Sequence, residues 1–272
     1  DISPRWNNEV DSWLQQLCKD EEPYNRLCLW IGHSLNFEGG PICALSLSGP
    51  PGCGKKMLVW GLAECITTKT VADSKEFGRF ASEILRTPFL IVNEGFHKTS
   101  GGMDPADTFR TYTGGDPIFV ERKFQRPIRM QSPLRVIITA NNLSVLKTLT
   151  SNRDLSPDDR DALAQRLFQV EVPAAASAWI RRQWTAASGK RWIRGDDGTI
   201  SNDIVARHFL KLWEMRPAVP AENRFLVEGD RNAEIIRMLA TQSGFAPEVL
   251  EVIIRMIESD STSDKGIVVE NR

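Results

Sequence analysis

Cysteine chemistry finds little to work with in this chain of 272 residues. Cys18, Cys28, Cys43, Cys53 and Cys65 all fall early, with no C-x-x-C pair and no histidine at ligand spacing. That pattern excludes a zinc framework and reads as free thiols, not a disulfide scaffold. Histidine is scarcer still: His33, His97 and His208 are scattered, which assigns them structural or surface roles. No apolar run approaches the roughly 20 residues that span a bilayer, and no charged-then-apolar leader opens the chain. The expected setting is therefore soluble and reducing, with no membrane partner. The chain opens at Asp1, not Met, as a fragment or processed chain would. A large excess of one charge is missing too, since Lys plus Arg number 34 against 35 for Asp plus Glu. Any nucleic-acid contact must then rest on a local basic cluster. No internal repeat is visible, so a solenoid is excluded.

What is present has the pattern of an α/β domain. Trp6 to Asn36 reads helical, with a break at Pro23, and Gly39 and Gly40 stop it. Ile42 to Leu47 is an apolar strand, Ser48 to Gly54 a glycine-rich turn, and Lys55 to Ile66 a helix. Pro88 to Val92 and Leu134 to Thr139 are continuous apolar runs, as suits a parallel sheet covered on both faces. Between them lie a helix near Pro105 to Tyr112 and a hairpin around Asp116 to Met130. Pro157 to Phe168 reads helical and Phe168 to Val172 as a strand. Helical spacing returns in Ile204 to Trp213, Ala233 to Leu239 and Val249 to Ile257. The expected parse is a helical lead-in (1–40), a core (41–173), a mostly helical C-terminal subdomain (174–258) and a flexible tail (259–272).

The turn carries chemistry. Gly49, Pro50, Pro51, Gly52, Cys53, Gly54 and Lys55, followed by Lys56 and Met57, match G-x-x-x-x-G-K between a strand and a helix. Glycines let backbone N–H groups close around a phosphate. The helix N-terminus adds partial positive charge, and the lysine reaches the outer oxygens. ATP with Mg²⁺ is the expected ligand.

Two positions depart from the usual metal half. Lys56 stands where a Ser or Thr hydroxyl ordinarily meets Mg²⁺, and an ammonium cannot ligate a cation. The strand through Val92 ends in Asn93-Glu94, where a carboxylate pair is ordinary; Glu94 remains a candidate base, while Asn93 is a neutral and weaker partner for the metal. Turnover is expected to be slow or absent, and its restoration to need both Lys56→Thr and Asn93→Asp.

The ordered set of the Gly49–Lys55 loop, Asn93-Glu94, the segment Thr108 to Met130 with its Gly-Gly-Asp and Lys123, Val136 to Asn142, and a downstream arginine resembles superfamily three AAA+ helicases. In particular it is similar to the helicase half of poxvirus-type, phage and mobile-element primase-helicases, over roughly Trp6 to Pro173. The resemblance implies an AAA+-like parallel-sheet core and an ATPase that drives a replicative DNA helicase. It implies a homo-oligomeric ring, a hexamer, on single-stranded DNA, with a fused or separate primase as a further partner. The compartment would be a bacterial host cytoplasm or a viral replication site. By position, Asn141 or Asn142 matches the γ-phosphate sensor, and Arg166 is the preferred arginine finger within Asp159 to Phe168.

The hairpin supplies the local basic cluster: Arg122, Lys123, Arg126 and Arg129, interleaved with Phe119 and Phe124. Cations suit phosphates and aromatic rings suit bases. A solvated basic hairpin whose Phe rings pack inward is the plainer alternative. Trp179, Trp184, Trp192 and Trp213, beside Arg181, Arg182, Lys190, Arg191 and Arg194, read as a helical core or as a second nucleic-acid surface. Two rivals stand beside the helicase: a nucleotide-binding oligomeric scaffold that does not hydrolyse, and a small-molecule kinase that leaves the hairpin without a purpose.

Overall fold

The computed structural model describes residues 2–73, 82–96, 104–115, 117–122, 124–130, 134–142, 146, 148–149, 155–185 and 203–230. The expected helices at 233–239 and 249–257, the tail at 259–272, and Lys123, His97 and Trp192 lie outside these residues.

The lead-in is two helices, not one broken at Pro23. Helix α1 spans Asn8–Leu17 and α2 spans Glu21–Ser34. Asn7 caps α1, its side chain accepting from the N–H groups of Glu9 and Val10. Pro23 falls in the first turn of α2, where its missing N–H costs nothing. Strand β1 is Ala44–Ser48 and α3 is Lys55–Glu64. A two-residue strand β2, Ala72–Asp73, precedes β3, Phe89–Asn93. Helix α4, Pro105–Gly114, starts from an Asp104 cap and stops at Gly115. The hairpin strands are β4, Ile118–Arg122, and β5, Gln125–Met130. They are followed by β6, Arg135–Ala140, α5, Pro157–Ala164, and β7, Leu167–Glu171. The helix expected to reach Phe168 thus stops at Ala164, and the strand begins sooner. Helices α6, Ala174–Thr185, and α7, Asp203–Met215, follow, and the described chain runs on to residue 230.

Five strands form one parallel sheet in the order β2-β3-β6-β1-β7. Alternation in the strands sends Leu45, Leu47, Phe89, Ile91, Ile137, Phe168 and Val170 to one face, where the apolar sides of α1, α2, α3, α6 and α7 cover them. Leu90, Val92, Val136, Ile138 and Leu167 point the other way, onto Ala106, Phe109 and Leu163 of α4 and α5 and onto Ile118 and Val120 of the hairpin. Burial of both faces explains why these strands read as unbroken apolar runs.

Among the described residues, no gap in packing separates 174–185 and 203–212 from the core. Ala176, Ile180, Val205, Phe209 and Leu212 share one cluster with Trp13 and Trp30. A Cβ at Gly61 would lie 2.4 Å from Val205 Cγ1, so α3 and α7 meet closely. Beyond α7 the chain returns along the edge strand β7: Gly229 N donates to Gln165 O at 2.8 Å and Asp230 N to Leu167 O at 2.7 Å. Arg26 fastens this strap, pairing with Asp230 and lying 4.5 Å over the Phe168 ring. Buried Arg135 joins the lead-in to the sheet, donating to the carbonyls of Ser34, Gly40 and Asn36 at 3.0, 3.0 and 2.6 Å. Burial lowers its guanidinium pKa to about 10. Among the described residues no helix is long and apolar enough to cross a membrane.

Candidate functional site

Ligands of open parallel sheets bind at the carboxyl ends of the strands, and the motif residues gather at that end here. Gly49 follows β1, Asn93 closes β3 with Glu94 after it, and Asn141 follows β6. Register aligns these ends, since Ser48 sits beside Ala140 and Asn93 beside Thr139. The strand that carries Asn141 is inserted between the loop strand and the Glu94 strand, so the asparagine stands between the two.

The loop is held from below by parts of the chain far away in sequence. Trp13 Nε1 of α1 donates to Cys53 O at 3.2 Å, and Ser177 Oγ of α6 donates to Pro51 O at 2.9 Å. Gly54 is left-handed (φ +94°), and a Cβ there would lie 2.7 Å from Trp13 Nε1, so both conformation and space demand glycine. At Gly52 (φ +78°) a Cβ would meet nothing within 4 Å, which leaves the outer side of the loop open to a ligand. Lys55 Nζ donates to Gly49 O at 2.6 Å and Pro50 O at 2.9 Å. The ammonium thus lies on the loop and at the start of α3, where phosphate oxygens would compete for it. This geometry fits a nucleotide phosphate chain. Lys56, on the first turn of α3, is exposed.

Glu94 adopts φ +58°, an uncommon conformation for a glutamate and a strain of about 1–2 kcal/mol. Its N–H donates to Thr139 O at 2.9 Å, and its Oε1 accepts from Asn141 Nδ2 at 3.1 Å. The fold therefore brings the candidate base to Asn141; Asn141 and Asn142 are both exposed. Asn93 faces sideways along the sheet, its Oδ1 accepting from Thr139 Oγ1 at 2.8 Å and its Nδ2 donating to Asp73 Oδ2 at 3.3 Å. Asp73 escaped the sequence reading because a two-residue strand has no periodicity. Trp13 and Ser177 escaped it because neither belongs to a local motif.

Arg166 is held within its own chain. It is 8 % exposed, donates from Nη1 to Ala162 O at 2.5 Å and lies 5.7 Å from the Phe225 ring. Its carbonyl accepts from Ala44 N, at the end of the sheet away from the loop.

The hairpin is a separate two-stranded sheet, with Ile118 and Val120 buried and Phe119 68 % and Phe124 95 % exposed. The two Phe rings face outward, contrary to the plainer alternative. Phe124 at the tip has φ +61°, a rare setting for an aromatic residue. Arg126 is exposed. Of the tryptophans, Trp179 packs against the main core and Trp213 is partly exposed. His33 and His208 are buried, as structural histidines are.

Comparison with known proteins agrees on architecture. Residues 47–160, less than half of the chain, match a family described as of unknown function, DUF5906. No curated protein matches. Among solved structures, the apo C-terminal region of NrS-1 (305–718) aligns over 99 % of this chain with TM-score 0.63 and 14 % identity. Its A form aligns with TM-score 0.61 and 16 % identity. This chain spans 62 % of the length of either. A JCV helicase aligns over 96 % of the chain, but its TM-score of 0.38 is too low to bear on the fold. The chain is thus similar in fold to the NrS-1 C-terminal region, with the glycine loop and the Asn93-Glu94 strand inside the matched family segment.

Proposed function

We propose that this chain is the nucleotide-driven motor of a replicative DNA helicase of a virus, phage or mobile element, working as one subunit of a ring on single-stranded DNA. The observation that carries the reading is the convergence of Lys55, Glu94 and Asn141 at the ends of three adjacent parallel strands. Gly49 to Met57 would hold the phosphates of ATP, with Lys55 Nζ exchanging the Gly49 and Pro50 carbonyls for phosphate oxygens. ATP, when bound, supplies the free energy of phosphoanhydride cleavage. Glu94 would accept a proton from water, and Asn141, which donates to its carboxylate, would keep it oriented. Closure of the site would be passed to the hairpin, whose outward Phe124 and Arg126 suit bases and phosphates.

A second reading has its own observation. Lys56 stands where a metal ligand is ordinary, and Asn93 spends its side chain on Thr139 and Asp73, which favours a scaffold that binds nucleotide and assembles without turnover. Phosphate release with Mg²⁺, with and without single-stranded DNA, separates the two. DNA-stimulated release that vanishes in Lys55→Ala supports the motor, and tight ATP binding with no release supports the scaffold.

A further inference from the structure

Lys56 follows Lys55 on the first turn of α3 and is exposed. Met57, Leu58 and Val59 turn into the core, so Lys56 shares the open face of the helix with Trp60, one turn on and 44 % exposed. Lys55 lies on the Gly49 and Pro50 carbonyls, whereas among the described residues no carbonyl or carboxylate holds the Lys56 ammonium. Leu58 N donates to Gly54 O at 3.1 Å, and the N–H groups ahead of it on the first turn have no intrahelical carbonyl to reach. The open side of the loop thus gathers backbone donors, the positive end of a helix and two neighbouring ammonium groups.

Magnesium does not fit this set. An ammonium cannot ligate a cation and repels one at short range. Asn93, at the end of β3, has both ends of its amide engaged: Oδ1 accepts from Thr139 Oγ1 and Nδ2 donates to Asp73 Oδ2. The ion ordinarily bridges the outer oxygens of a triphosphate and neutralises their charge. Two adjacent lysines carry the same double positive charge, on flexible four-carbon stems.

We propose that the loop takes a nucleoside triphosphate in its metal-free form, with Lys56 as the second phosphate-binding cation, and that magnesium competes with the protein for the nucleotide. The inference rests on the nucleotide reading above. A magnesium-bound triphosphate arrives with its outer charge already neutralised and sets an ion against the Lys56 ammonium, so both lysines lose attraction to it. Affinity therefore falls as Mg²⁺ rises, the reverse of a loop whose next residue is a hydroxyl.

The test is calorimetric titration of the whole chain with the β,γ-imido analogue of ATP at constant ionic strength, in EDTA and in Mg²⁺ in excess over the analogue. It compares the parent, Lys56→Gln and Lys56→Arg, with thermal melts of each. The parent should bind more tightly in EDTA than in Mg²⁺. Lys56→Gln should lose roughly tenfold in EDTA, the size of one charge-assisted contact, and much of the parent's sensitivity to Mg²⁺. It should melt with the parent, because the side chain it replaces is exposed. Lys56→Arg, which keeps the charge, should keep both the affinity in EDTA and the sensitivity. A parent that binds more tightly in Mg²⁺, or equally in both, overturns the inference. So does Lys56→Gln binding as the parent does in EDTA, and so does an equal loss in Lys56→Gln and Lys56→Arg, which would give the lysine a role through shape and not charge. A parent that binds no analogue under either condition instead removes the nucleotide reading itself.

Discussion

Replacing Lys55 by alanine removes the cation that lies on the Gly49 and Pro50 carbonyls while sparing the Trp13 and Ser177 supports. ATP affinity should fall by about a hundredfold, the worth of roughly two charge-assisted contacts, with little change in melting point. Calorimetry with a melt of the same sample checks both halves, and unchanged affinity would remove the phosphate site. At the same scale, His208 makes a pH prediction. It is fully buried, its Nδ1 accepts from Asn7 N at 3.1 Å, and burial lowers its pKa from 6.5 to about 4 despite Asp11 nearby. The unfolded chain therefore takes up a proton at higher pH than the folded one. Stability from this group is complete above about pH 6.5 and is lost as pH falls toward 4. Urea midpoints at pH 7 and pH 5 should differ less in His208→Gln than in the parent. Residues of this kind sort by legibility: Lys55, Glu94 and Asn141 sit in local motifs, while Asp73 and Trp13 matter through strand order and helix packing that no local pattern records.

Elements whose pattern repeats over several turns or strands were readable, and those set by pairing were not. Strands β1, β3 and β6 announce themselves as apolar runs because helices cover both faces. Strand β2 exists only because two residues pair with Leu90 and Ile91. Arg135 shows the same limit. On sequence it is a charge inside an apolar strand, and in the fold it serves three carbonyls at the end of α2 and its turn. Arg135→Met should cost about 3 kcal/mol or more, because buried acceptors lose charged donors, and should loosen the lead-in that supports the loop through Trp13. Urea unfolding measures the first effect and amide exchange over residues 8–34 the second. Loss of less than about 1 kcal/mol would show the three bonds to be replaceable by water. For the hairpin, outward Phe119 and Phe124 on an inner face of Ile118 and Val120 are what a nucleic-acid grip requires. Phe124→Ala should weaken single-stranded DNA binding by about 1–3 kcal/mol with ATP affinity unchanged. Lys123→Ala should instead flatten the salt dependence by about 0.7 per phosphate contact. Fluorescence anisotropy across a salt series distinguishes stacking from charge.

At the scale of the whole molecule, the proposed ring mechanism needs a second side to the site, supplied by a neighbouring subunit. Lys55, Glu94 and Asn141 come from one chain, yet the stabilising cation expected from a neighbour has no ready donor in Arg166, which is committed to Ala162 and Phe225. Under that proposal, either another arginine projects across the subunit boundary, or Arg166 is released when subunits meet. Both alternatives tie turnover to assembly, so hydrolysis should depend steeply on protein concentration, and the mass of the particle should rise with it. Sedimentation of the chain alone, with the imido analogue, and with analogue plus single-stranded DNA should show growth from monomer to a closed ring, a hexamer, only when ligands are present. Arg166→Ala mixed with Lys55→Ala then separates the alternatives. If Arg166 acts across the boundary, the intact Lys55 of an Arg166→Ala subunit meets the intact Arg166 of a Lys55→Ala neighbour only in mixed rings, so the two variants together should yield a fraction of complete sites. Recovery of DNA-stimulated phosphate release in the mixture, with each variant inert alone, would assign Arg166 to its neighbour's site. Full activity of Arg166→Ala alone would leave it as the internal fastening seen in this fold, and release by a strict monomer would remove the ring from the mechanism.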